Sequence, residues 1–138
     1  MPRSAFEELR VYQLAEQLAD EIWEVVVTWN HFAKETVGKQ IVEAADSVGA
    51  NIAEGSGRGS YQDNRRFVKI ARGSLKETQH FLKRAYKRNL LNDDQVARIK
   101  PIVGELAPKL NAYLKSIGKK SDFNKQRTTD NGQLTTDN

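Results

Sequence analysis

The chain has 138 residues, with 22 Lys or Arg against 18 Asp or Glu, two histidines and no cysteine. That length suits one domain with a real core, the lack of cysteine excludes a disulfide framework and a thiolate nucleophile, and His31 and His80 are too few for a histidine-rich metal site. No apolar run approaches the roughly 20 residues of a membrane span, and MPRSAFEELR lacks the apolar heart of a signal peptide, so a cytoplasmic protein without a membrane partner is expected.

Ser4 and Glu7 have the spacing of a capping box, and Val11, Leu14, Leu18, Ile22, Val25 and Trp29 follow at helical intervals, which predicts a first helix over 4–28. A short link, Asn30 to Lys34, leads to a second helix with Ile41, Ala45, Val48 and Ile52 on one face, closed by Gly55 as a left-handed cap. GSGRGS then breaks the chain. Ser60 and Asp63 open a third helix that runs to about Asn89, with Phe67, Ile70, Ala71, Ser74, Leu75, Thr78, Phe81, Leu82 and Ala85 on its apolar side.

Asn92, Asp93 and Asp94 cap a fourth helix, in which Val96, Ile99, Val103, Leu106, Leu110, Tyr113 and Ile117 step by three and four. Pro101 and Pro108 predict kinks or a break there. No strand pattern appears. The expectation is an all-α, up-and-down four-helix bundle over residues 1–118, followed by a flexible polar tail, 119–138, that is too poor in apolar residues to offset its own ordering.

The most informative feature is charge on the third helix. Arg65, Lys69, Arg72, Lys76, Lys83 and Lys87 recur at gaps of three, four and seven, with His80 in the long gap, and Arg66 and Arg88 lie beside them. Residues 61–88 hold nine Lys or Arg against Asp63 and Glu77, a balance of +7, although the whole chain is only +4. The first helix holds Glu7, Glu8, Glu16, Asp20, Glu21 and Glu24 against Arg10, a balance of −5. A cationic face of this kind binds phosphates or docks on an acidic protein surface. Phe67 and Phe81 are assigned to the core, so phosphate contact is favoured over base stacking.

Other motifs have plainer readings. Gln40, Ala44, Ser47, Asn51 and Glu54 form a second stripe on the second helix, read chiefly as a helix or subunit contact. The Gly55 to Ser60 loop precedes a helix but lacks the GK[ST] ending of a nucleotide-binding loop, so a tight turn explains it. Ser74 and Glu77 lie near His80, but Ser74 faces the apolar side and His80 the basic one, so no triad follows. No catalytic residue and no cofactor is assigned, and the reading is of a protein that is not an enzyme.

From Gln40 to Ala85 the sequence resembles the bacterial four-helix-bundle proteins encoded in intervening sequences of 23S ribosomal RNA genes, and FEELRVYQLAEQLA matches as well. The likeness spans roughly residues 6–117, carried most specifically by Ser47 through Gly55, Arg58, and Ala71, Gly73, Ser74, Leu75 and Glu77. It implies an antiparallel bundle that assembles as a ring-like homopentamer without enzymatic activity. More distantly it resembles accessory variability proteins of diversity-generating retroelements, which implies RNA or DNA and a reverse transcriptase as partners. By the same resemblance Ser47, Asn51, Glu54, Ser74 and Glu77 fix helix and subunit contacts. This chain departs from many relatives at Val42 and Glu43, where they have arginines, which leaves any basic surface to the third helix.

Two readings follow. In one, an oligomeric adaptor presents Arg65, Arg66, Lys69, Arg72, Lys76, Lys83, Lys87 and Arg88 to RNA or DNA phosphates. In the other, a protein-interaction scaffold docks its basic face on acidic surfaces, the first helix of another subunit among them.

Overall fold

The apolar spacing of the first helix becomes a buried stripe. In the computed structural model, which describes residues 5–118, α1 (Arg10–Val26) buries Val11, Leu14, Leu18, Ile22 and Val25, and Trp29 just beyond it is buried as well. The approach to the helix differs from expectation: Ala5–Glu8 is a 3-10 turn, and α1 starts after Leu9 without a side-chain cap. Ser4 lies outside the described residues, as does the expected tail, 119–138.

The link expected at Asn30 to Lys34 is helical instead. Asn30 Oδ1 accepts the Ala33 N–H at 3.0 Å and caps a single turn, His31–Ala33. The chain then widens into a π-helical stretch, Lys34–Gly38, that continues directly into α2 (Lys39–Ser56). Gly38 permits this packing, because a Cβ there would stand 2.9 Å from Val26 Cγ1 and 3.0 Å from the Ala33 carbonyl oxygen.

Gly55 is not a left-handed cap. It lies inside α2, which ends at Gly57 in a right-handed conformation with φ −86°. What Gly55 provides is room: a Cβ would meet Asn64 Oδ1 at 2.6 Å and the Asn64 carbonyl oxygen at 3.0 Å. The glycine-rich break therefore shrinks to Gly57 to Ser60. Ser60 then caps α3 (Tyr61–Lys87) as expected, accepting the Asp63 N–H at 3.1 Å.

At the far end of α3, Asn89 takes the left-handed conformation (φ 61°). Its N–H reaches the Tyr86 carbonyl at 3.1 Å and the Leu90 N–H reaches the Ala85 carbonyl at 2.9 Å, the paired bonds of a Schellman closure. Asn92 and Gln95 then form a reciprocal capping box, with bonds of 2.8 and 2.9 Å, to start α4 (Asp93–Ser116). α4 does not break at its prolines. Pro101 and Pro108 lie within it on the exposed side, so the carbonyls they leave unbonded, at Ala97 and Gly104, are on exposed residues.

No strand occurs among the described residues. α2 packs broadly on both α1 and α3, α1 also packs on α4, and the α3/α4 seam is much the sparsest of the four. The shared core contains Leu14, Leu18 and Ile22 of α1, Ile41, Val48 and Ile52 of α2, Val68 and Leu75 of α3, and Leu106 and Leu110 of α4. Surface pairs register the outer helices: Arg10 donates twice to Glu105 at 2.9 Å, and Arg98 reaches Glu21 at 3.3 Å. Trp29 Nε1 donates to the Leu90 carbonyl at 2.8 Å and ties the end of α1 to the α3/α4 link. Among the described residues no helix is long and apolar enough to cross a membrane.

Candidate nucleic-acid interface

α3 presents its cations because its core contacts are small and one-sided. Val68, Ala71, Leu75, Thr78 and Ala85 are its buried residues. The expected apolar face needs two corrections. Ile70 is 44% exposed, and Val68, absent from that face in the sequence reading, is fully buried. Phe67 is not a simple core residue either: the guanidinium of Arg66 lies 4.5 Å from its ring centroid and that of Arg58 lies 4.8 Å from it.

The eight expected phosphate-contacting residues divide into three groups. Lys69, Lys76, Lys83, Lys87 and Arg88 are exposed, and among the described residues none has an ion-pair partner. Arg66 is exposed but stands 3.7 Å from Asp63. Arg65 and Arg72 are half-buried and brace α3 against the end and flank of α4: Arg65 donates to the Ile117 carbonyl at 2.9 Å, and Arg72 to Asn111 Oδ1 at 3.3 Å. The freely presented charge is thus carried mainly by lysines. Lys69 and Lys76 are two helical turns apart, about 10.5 Å along the axis.

Behind this face a polar network joins α3 to α2. Ser47 Oγ and Ser74 Oγ are 2.8 Å apart, Asn51 Nδ2 donates to Ser47 Oγ at 2.9 Å and to the Ser47 carbonyl at 2.8 Å, and the fully buried Thr78 donates its hydroxyl to the Ser74 carbonyl at 2.8 Å. Of the six residues assigned to contacts, Ser47, Asn51 and Ser74 therefore meet. Gln40, Glu54 and Glu77 do not join them: all three are exposed, and Glu54 pairs with Arg58 at 2.8 Å.

Opposite charge collects elsewhere. Asp46 on α2 has its carboxyl held above the ordinary aspartate value, first by burial and then by the negative charge of Asp20 on α1. Burial likewise raises the Tyr12 phenol, reinforced by Glu16, Glu7 and Asp20. The α1/α2 side is thus electronegative and α3 electropositive, as the segment charges required.

Sequence reading also missed a cleft beside this face. The cleft, of about 550 Å³, opens along the sparse α3/α4 seam, with Leu82, Tyr86, Leu91, Val96, Ile99 and Val103 among its walls and Lys83, Lys87 and Lys100 at its rim. The available signal was Tyr86, an aromatic residue outside the apolar face assigned to the third helix and 54% exposed. Among the described residues no group of three or more His, Asp or Glu is placed to hold a metal ion.

Among the described residues, four long helices about one core, with cations concentrated on one of them, define an all-α fold with a polarised surface. The family model for 23S rRNA-intervening sequence proteins matches residues 7–112, and the chain belongs to that family. Its fold is similar to the crystal structure of a protein of unknown function from the S23 ribosomal protein family of Bacteroides thetaiotaomicron, with a TM-score of 0.68 and 22% identity over 77% of this chain and 99% of that one. At that identity the likeness carries the fold alone. No curated protein matches the chain.

Proposed function

We propose that this protein is a cytoplasmic, non-enzymatic adaptor that binds RNA or DNA phosphates through the exposed lysines of α3. The reading rests on one observation: Lys69, Lys76, Lys83 and Lys87 stand on one exposed helix face without a carboxylate partner among the described residues. Such a face has no internal electrostatic purpose and suits a polyanion. Arg65 and Arg72 then serve by bracing α3 rather than by meeting phosphate directly.

The chain is an antiparallel up-and-down bundle in this reading, supported by the pairing of Arg10 with Glu105 and of Glu21 with Arg98. It assembles with itself, as a ring-like homopentamer, so that several weak lysine faces act together and effective concentration supplies avidity. Base preference is slight, because the contacts are to phosphate. An accessory role beside a reverse transcriptase uses the same surface, and a reverse-transcriptase gene next to this one is what that role requires.

The test is fluorescence anisotropy of a labelled structured RNA titrated at several salt concentrations. Binding through lysines gives log K falling linearly with log salt, with a slope of about −0.9 for each phosphate neutralised on a duplex. Binding that is absent at low salt contradicts the proposal. A second reading, a protein-interaction scaffold, is favoured by the acidic outer face of α1, where Trp23 is 56% exposed.

A further inference from the structure

α1 leaves an unpartnered stripe on its outer side. Glu16, Asp20, Trp23 and Val27 recur at gaps of four, three and four, which places them on one face, opposite the buried Leu18, Ile22 and Val25. Trp23 is 56% and Val27 44% exposed, and Glu24 flanks them. More than half of this aromatic side chain is left in water between carboxylates, uncovered by its own fold. At 56% exposure, roughly half of the 150–250 Å² that an aromatic side chain buries in a core is left to bury against something else.

The α3/α4 cleft has the converse character. Its walls are largely apolar, its polar rim has three lysines against one carboxylate, Asp93, and its volume of about 550 Å³ accommodates an aromatic side chain. The two features lie on different parts of the surface. α1 packs on α2 and α4, its stripe points away from the core, and the cleft lies between α3 and α4. One molecule therefore cannot satisfy itself, yet it can offer its stripe to one neighbour and its cleft to another.

We propose that Trp23 and Val27 of one copy seat in the α3/α4 cleft of a second copy, with Asp20 and Glu24 against the rim lysines Lys83 and Lys87. This rests on the self-assembly reading above and names its mating surfaces. The contact is heterologous, head to tail, and closes into a ring when the rotation between copies allows it. It also divides the cationic face: Lys83 and Lys87 are used between subunits, while Lys69 and Lys76, earlier on the helix, stay open to phosphate.

The experiment uses the full chain and two variants, Trp23→Glu, which spoils the stripe, and Lys83→Glu with Lys87→Glu, which spoils the rim. All of these positions are exposed, and circular dichroism verifies that both variants fold. The native protein is expected to be oligomeric by light scattering and each variant alone to have the mass of one chain. Mixed one to one, the two variants form a species of two chains and nothing larger, because each retains the surface that the other lacks. Native oligomers with either variant unchanged in mass overturn the inference and leave self-assembly standing on other surfaces, as does a mixture that stays monomeric. A monomeric native protein at micromolar concentration overturns both and leaves the cleft to an acidic segment of another protein.

Discussion

Ser47 on α2 and Ser74 on α3 meet hydroxyl to hydroxyl at 2.8 Å across the most extensively packed helix pair in the molecule. Asn51 donates to Ser47 Oγ, which leaves the Ser47 proton for Ser74. The contact sits directly behind the lysine face, so it sets how α3 is held. Ser47→Ala and Ser74→Ala are each expected to cost about 1 kcal/mol, since each removes a half-buried partner. The double variant should cost less than the sum by roughly 0.5 kcal/mol or more, read from urea unfolding. Full additivity would mean that the two hydroxyls do not interact.

Gly55 and Gly104 make opposite predictions although both lie inside helices. A methyl group on Gly55 meets the Asn64 carbonyl oxygen and Phe67 Cβ, each at 3.0 Å, and backbone cannot swing aside as a side-chain tip can. Gly55→Ala is expected to destabilise by about 1–3 kcal/mol. At Gly104 a methyl group would have no neighbour within 4 Å, so Gly104→Ala should stabilise by about 0.5–1 kcal/mol through helix propensity and a less flexible unfolded chain. Thermal melts of the two variants check the pair of signs.

Two carboxylates respond to pH in opposite senses. Asp46 is raised in the folded state by burial and by Asp20, so the folded protein holds this proton to higher pH than the unfolded chain. Stability from this group falls as pH rises from the ordinary aspartate value through the folded one. Asp46→Asn should therefore raise the melting temperature at neutral pH, with the gain vanishing in acid. Glu105 is lowered, chiefly by its hydrogen bonds from Arg10, so its contribution is present above the ordinary glutamate value and is lost as pH falls. Glu105→Gln should lower the melting temperature at neutral pH and match the native protein in acid.

Periodic apolar residues made much of the fold legible. Every position assigned to the first-helix stripe, from Val11 to Trp29, is buried, and so are Ile41, Ala45, Val48 and Ile52, because each is dictated by a repeat that local chemistry enforces. What escaped was set by contacts distant in sequence. Gly55 reads locally as a cap, but its role is decided by Asn64 on the next helix. The π-helical stretch depends on Gly38 fitting against Val26. Pro101 and Pro108 left α4 unbroken because the carbonyls they orphan lie on exposed residues, a matter of orientation and not of sequence. For the lysine face, helical spacing placed Lys69, Lys76, Lys83 and Lys87 correctly, whereas the half-buried state of Arg65 and Arg72 follows from α4 arriving beside them. The cleft left only Tyr86 as a trace in the sequence for the same reason, since it is a gap between two helices.

Binding of nucleic-acid phosphate by the exposed lysines of α3 is tested most directly by comparing RNA affinity and salt slope among three proteins. These are the native protein, Lys69→Glu with Lys76→Glu, and Lys34→Glu with Lys39→Glu, which makes the same charge change at exposed positions leading into α2. The α3 variant should lose roughly tenfold or more in affinity and show a shallower slope, while the control stays close to native. Equal losses in both variants would show that net charge and not this face governs binding, and would contradict the proposed role of α3.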